Sequence, residues 1–162
     1  MTELLEGRLD AASRIVILGV GSELRADDAA GLLVAEKLEK SCAENTKILV
    51  LRGATAPENL TGPIIAFKPS HLVIVDCAEM DEEPGTVRLF PADKIGGVSS
   101  STHTLPLKIV IDYINKGHPC ETLVVGIQPK SVAFDGKQSA EVLQAVDSVA
   151  AAITEAVRRL AT

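Results

Sequence analysis

Arg14–Gly31 reads RIVILGVGSELRADDAAG, and the fold follows from how that stretch is parsed. Ile15-Val16-Ile17-Leu18 is an apolar run of strand length. Gly19-Val20-Gly21 breaks it, and a short polar loop leads to two adjacent carboxylates, Asp27 and Asp28. An Ala- and Leu-rich run follows. The pattern predicts a buried strand, a tight exit loop and the start of a helix. Open α/β sheets hold their ligands at such junctions, at the carboxyl ends of strands.

Working outward, strand and helix patterns alternate. Residues 3–12 carry Leu4, Leu5, Leu9 and Ala12 at helical spacing. Strands are expected at 14–20, at 47–52 (KILVLR), at 71–76 (HLVIVD) and at 121–127 (ETLVVGI), with a short edge strand at 86–90 (TVRLF). The third is nearly all apolar, as for a strand covered on both faces. Amphipathic helices are expected at 28–41, around 59–66, at 105–116 and at 138–160. Asp27 and Asp28 would sit in the first turn of the 28–41 helix, where the helix dipole favours negative charge. The alternation predicts an α/β three-layer sandwich, a mostly parallel twisted sheet of about five strands with helices on both faces. The 162 residues are expected to form a single domain, 1–162. If the first and third strands are neighbours, Asp28 and Asp76 both face the crevice between their carboxyl ends.

Composition narrows the function. A net charge of -6 argues against nucleic acid as a partner. The three cysteines, Cys42, Cys77 and Cys120, form no Cys-x-x-Cys pair, so neither a disulfide framework nor a structural zinc site is expected. The first residues are polar and acidic, unlike a signal peptide, and no apolar run approaches the ~20 residues of a membrane span. A cytoplasmic protein without membrane insertion is expected.

The Gly-Val-Gly loop invites comparison with the dinucleotide fingerprint, whose third glycine allows close helix packing. Here that position is Leu24, and the loop delivers two carboxylates where a pyrophosphate would sit. A cation suits the site better. Asp28, Asp76 at the end of the third strand and His103 in the Gly/Ser/Thr loop 96–104 make an oxygen and nitrogen donor set for a hard or borderline divalent ion. Each has an ordinary structural explanation as well. Asp28 could bond backbone N–H groups at a helix start, Asp76 could form a strand-end turn, and His103 could be an exposed loop residue. Spacing alone does not reveal the trio. His71 and His118 read as structural or solvated, and the acidic run Glu79–Glu83 as a solvated loop. Cys77 should point away from Asp76 into the core.

Five segments, in this order, resemble the [NiFe]-hydrogenase maturation endopeptidases, closest to the HycI-like branch: GVGSELRADDAAG, ATAPEN, LVIVDCAEMDEEPGTVR, STHTLPL and VGIQPKSVAF. The resemblance spans about residues 14–150 and leaves residues 1–13 as an N-terminal extension. It implies an endopeptidase that removes the C-terminal peptide of a hydrogenase large-subunit precursor after nickel insertion. It also implies that Asp28, Asp76 and His103 are the metal-contacting and catalytic residues. The metal would be nickel, that of the substrate, or another divalent ion at the same place, with no nucleotide and with a monomer expected. A maturation chaperone that senses nickel without cutting is the alternative, and a divergent nucleotide binder is a third. Two positions depart from the family pattern: Ser22 stands where Asn is usual and Ala26 where Gly is usual. Ser22 can still hydrogen-bond. Ala26 tolerates positive φ less well than Gly, so the path of the loop is in question.

Overall fold

The structure is a computed structural model that describes residues 1–92 and 107–160. Five strands form one sheet in the order β2-β1-β3-β5-β4: β1 Ile15–Val20, β2 Ile48–Ala54, β3 His71–Cys77, β4 Val87–Pro91 and β5 Glu121–Ile127. The first four in that order are parallel, and β4 lies antiparallel on β5 at the edge. The helices are α1 Thr2–Leu9, α2 Ala30–Ser41, α3 Thr61–Phe67, α4 Leu107–Gly117 and α5 Ala140–Val157. Short 3-10 turns at Ala26–Ala29, Pro57–Leu60 and Arg158–Leu160 adjoin α2, α3 and α5.

Period-two alternation assigns the two cores. Ile15, Ile17, Val73, Val75, Leu123, Val125 and Ile127 meet α1, α2 and α5 on one face. Val16, Leu18, Val20, Leu72, Ile74 and Val124 meet α3 and α4 on the other. Asp76 continues the parity of Leu72 and Ile74, and Cys77 that of Val75. Cys77 is fully buried, as expected of a core thiol. The predicted stripes hold: Val142, Val146, Val149 and Ile153 of α5 are buried, and so are Leu107, Val110 and Ile114 of α4. Leu160, at the end of the long stripe, is only partly buried. Residues 105 and 106, the expected start of that fourth helix, lie outside the described residues.

The first residues pack rather than trail. Leu5 and Leu9 of α1 are buried in the same core as α5, each contributing about 2 kcal/mol of apolar burial. Arg159 closes the contact at its rim by donating to Asp10 at 2.8 Å.

Neighbouring β1 and β3 make the sheet's switch point. From β1 the chain crosses to β2 on one side, while β3 and β5 extend the sheet on the other. In open α/β sheets the ligand crevice opens outside the carboxyl ends of such a pair.

Candidate functional site

The connection from β1 to α2 is built for close approach. Gly21 has φ 141°, and a Cβ there would lie 1.9 Å from the carbonyl oxygen of Asp28. Only glycine fits, and the Ser22 N–H then donates to that same oxygen at 3.2 Å. Ser22 also accepts from the Leu24 N–H at 3.3 Å, so the serine performs the bonding expected of it. Ala26 takes φ 43°, the left-handed region, despite its Cβ. The loop therefore keeps a glycine-like path at a cost of about 1 kcal/mol in backbone strain.

The helix-packing glycine is displaced rather than missing. Leu24, at the fingerprint's third position, is solvent-exposed. Gly31 does the packing instead: a Cβ there would meet the carbonyl oxygens of Val75 at 2.2 Å and Val20 at 2.3 Å. The first turn of α2 thus sits directly across the ends of β1 and β3. Asp28 lies three residues before Gly31, and Asp76 follows Val75. Both are fully buried, and the Ala26–Ala29 turn contacts β3. This packing sets the turn that carries Asp28 beside the strand that carries Asp76.

The third expected residue, His103, lies outside the described residues, as does the rest of the 96–104 loop. The other two histidines are committed at the opposite end of the sheet. His118 donates from Nε2 to the Pro69 carbonyl at 3.1 Å, and His71 places Nδ1 3.0 Å from Ser70 Oγ and Nε2 3.4 Å from Glu121. Among the described residues no cluster of three metal-binding side chains exists. Two buried carboxylates on neighbouring elements supply hard oxygen donors, and an imidazole would complete a set fit for a borderline divalent ion.

The adjacent acids do different work, which their spacing did not reveal. Asp27 does not serve the dipole of its own helix. Its carboxylate reaches across to the segment after β5 and accepts from the N–H groups of Lys130 (2.9 Å), Ser131 (3.1 Å) and Ser139 (2.6 Å), and from Ser139 Oγ (3.0 Å). Its own N–H donates to the Ser131 carbonyl at 3.0 Å. Ser139 is the N-cap of α5, so one buried carboxylate ties the site turn to a loop and a helix start. Nearby, Lys130 Nζ donates to Glu141 at 2.7 Å. That hydrogen bond holds the Glu141 carboxyl below its ordinary range and Lys130 above its own.

The acidic run after β3 is more ordered than a solvated loop. Gln128 donates to Glu79 at 2.8 Å and accepts from the Met80 N–H at 2.7 Å, and Arg88 Nε donates to Glu82 at 3.0 Å. The ATAPEN segment follows β2 beside the site loop: Gly21 N–H donates to the Ala54 carbonyl at 3.0 Å. Cys42, Cys77 and Cys120 are all thiols, and burial pushes Cys42 and Cys120 up.

Known proteins share this fold. Residues 32–156 match the HycI hydrogenase maturation protease family. A putative hydrogenase maturation protease of Methanocaldococcus jannaschii is 38% identical over 140 residues, 83% of either chain. The hydrogenase 3 maturation protease of Escherichia coli K12 is 36% identical over 135 residues, 83% of this chain and 85% of that one. The crystal structure of a [NiFe] hydrogenase maturation protease HycI from Thermococcus kodakarensis superposes with a TM-score of 0.88 at 35% identity, covering 96% of this chain and 99% of that one. Since the family match spans most of the chain, and the relatives agree in fold as well as in sequence, this protein belongs to the HycI family of hydrogenase maturation proteases.

Proposed function

We propose that this protein is an endopeptidase that removes the C-terminal peptide of a [NiFe]-hydrogenase large-subunit precursor once nickel is in place. The observation that carries the reading is the pair of buried carboxylates, Asp28 in the turn that follows β1 and Asp76 near the end of β3, at the two switch-point strands. Charged groups are buried where a partner repays their desolvation, and a divalent cation is a partner suited to two carboxylates. The nickel belongs to the substrate. Asp28, Asp76 and His103 engage it, or another divalent ion at the same place, and that engagement registers the scissile bond in the crevice.

A bound divalent ion polarises a carbonyl or activates a water. The chain's own contribution is to hold the ion, to exclude solvent with the Ala26–Ala29 turn and to place a carboxylate as base. Dependence on the substrate's metal gates the reaction, because an unloaded precursor gives the acids nothing to hold. The protein acts as a monomer in the cytoplasm, where thiols such as Cys42 and Cys77 persist.

The test uses nickel-loaded and nickel-free precursor, with the new C-terminus read by mass spectrometry. Cleavage of the loaded form alone is expected. Replacing Asp28, Asp76 or His103 with Ala should lower the rate by about 100-fold or more, since even residues behind metal ligands cost 10- to 100-fold. Equal cleavage of both precursors would remove the nickel gate. Binding with an intact C-terminus would leave a chaperone instead.

A further inference from the structure

The chain contains only three Phe, one Tyr and no Trp. Aromatic rings ordinarily serve as large core or interface anchors. Phe134 is instead 72% exposed, and Leu24 is 63% exposed, the two highest values for large apolar side chains among the described residues. They are not scattered. The residue after Phe134 ties directly to Leu24, through the Asp135 N–H donating to the Leu24 carbonyl at 2.8 Å.

Both loops are held in place. Leu24 N–H donates to Ser22 Oγ, and the Asp28 N–H donates to the Arg25 carbonyl at 2.9 Å. On the other loop, Ala133 N–H donates to Ser131 Oγ at 3.2 Å and Gly136 N–H to the Ala133 carbonyl at 3.2 Å. Asp135 sits at φ 57°, a left-handed turn that Asp tolerates. The Asp27 carboxylate fastens this loop at both ends, at Lys130-Ser131 and at Ser139. Two large apolar groups are thus presented to solvent on a fixed framework. Preorganised anchors of this kind lose little entropy on binding.

We infer that Leu24 and Phe134 form an apolar grip on the precursor, taking an apolar side chain of the segment that enters the crevice. The inference rests on the proposed function for its occupant. Continuity supplies the reason: Leu24 lies four residues from Asp28, in the same hydrogen-bonded connection. A polypeptide whose reactive atoms reach Asp28 therefore passes beside this pair. The acids address the metal and the scissile bond. The apolar pair addresses the chain that carries them, so it sets affinity and choice of precursor rather than the rate of bond cleavage.

The experiment measures processing of nickel-loaded precursor by the full chain and by Phe134→Ser, Leu24→Ser, Phe134→Leu and Leu4→Ser, together with precursor binding by calorimetry. Both side chains already stand in solvent, so the serine variants should melt as the wild type does. For each serine variant KM should rise about tenfold or more, with kcat within about twofold, the signature of lost uniform binding. Phe134→Leu should recover most of the affinity. Leu4→Ser, on the exposed face of α1, should match the wild type. A KM and binding constant within twofold of wild type for Phe134→Ser would overturn the grip. So would conversion of a wild-type dimer to a monomer by Phe134→Ser, which would assign the pair to a contact between copies. If the wild type binds precursor but fails to cut it, the protease reading falls alone. The grip then stands or falls on whether Phe134→Ser binds about tenfold more weakly.

Discussion

The two ends of the sheet are both stitched by polar groups, but in different ways. At the amino end, Ser70 Oγ accepts from the N–H groups of Ser13 (2.9 Å) and Arg14 (3.2 Å) and donates to the Arg14 carbonyl (2.9 Å). These bonds are exposed to water, which can replace them. At the carboxyl end the stitching is by Asp27, fully buried beside Asp28. Backbone strain follows the same division. Five non-glycine residues take positive φ among the described residues, and four of them lie toward the carboxyl ends of parallel strands: Ala54 as the last residue of β2, and Ala26, Asp81 and Asp135 in the connections that follow β1, β3 and β5. The fifth, Lys68, is the left-handed C-cap of α3, an ordinary place for one. Strain and buried charge persist only where surrounding structure enforces them, and they gather where ligands are handled. One end of this sheet is a closed seam, and the other is a prepared mouth.

The sharpest way to break that comparison is to cut one stitch at each end. Asp27→Ala leaves three backbone N–H groups and a hydroxyl, all in part-buried bonds, without their acceptor. It should cost about 4 kcal/mol, at 1–3 kcal/mol per abandoned group and with partial relaxation. Ser70→Ala should cost about 1 kcal/mol, because water reaches the groups it leaves. Urea unfolding with unchanged m reads both. Equal losses would mean that the carboxyl end holds nothing special.

This contrast also marks what the amino-acid pattern could and could not reveal. The strands were legible as short apolar runs and the helices as stripes of period 3.6: β1 is buried throughout, its side chains alternating between the two cores, and burial follows the stripe in α5. The neighbouring of β1 and β3, and with it the crevice, was a conditional reading that the topology meets. Leu24 was read as pointing away from a dinucleotide loop, and it stands in solvent. Yet the close-packing glycine was present seven residues later, at Gly31, where no local motif marks it. The role of Asp27 was illegible for a different reason. Its partners lie more than 100 residues away, and two adjacent acids look alike until the chain is folded. Ala26 was read as a threat to the loop's path. The structure sets the residue in the left-handed region, at φ 43°.

That strain gives a smaller and oppositely signed effect. Ala26→Gly should stabilise the protein by about 0.5 kcal/mol. Relief of the left-handed Ala conformation contributes roughly 1–2 kcal/mol, and the added entropy of a glycine in the unfolded chain offsets about 0.4–1 kcal/mol of it. A thermal melt detects the sign. Destabilisation would show that the Ala26 methyl group, which faces Gly136, contributes more through packing than its backbone loses. Strain would then no longer set the two ends apart.

The smallest effect lies at the rim, where the carboxyl end should behave like the amino end. Lys130 and Glu141 pair beside the Asp27 knot but stand in solvent. The hydrogen bond lowers the Glu141 carboxyl from its ordinary 4.5 and raises Lys130 from its ordinary 10.5. A lowered carboxyl stabilises the fold above its ordinary value, and the contribution fades as pH falls through the lower, folded value. A raised ammonium stabilises below its ordinary value and fades as pH climbs through the higher one. The pair therefore contributes in full between about pH 4.5 and 10.5. Glu141→Gln should lower the melting temperature slightly and evenly across that window, and the gap to wild type should close below it. Salt should shrink the gap too, since exposed charges are screened. A gap that ignores salt and persists in acid would mean that Glu141 acts through the placement of its hydrogen-bonded side chain rather than through its charge. The rigid part of the mouth would then extend beyond Asp27 to the first turn of α5.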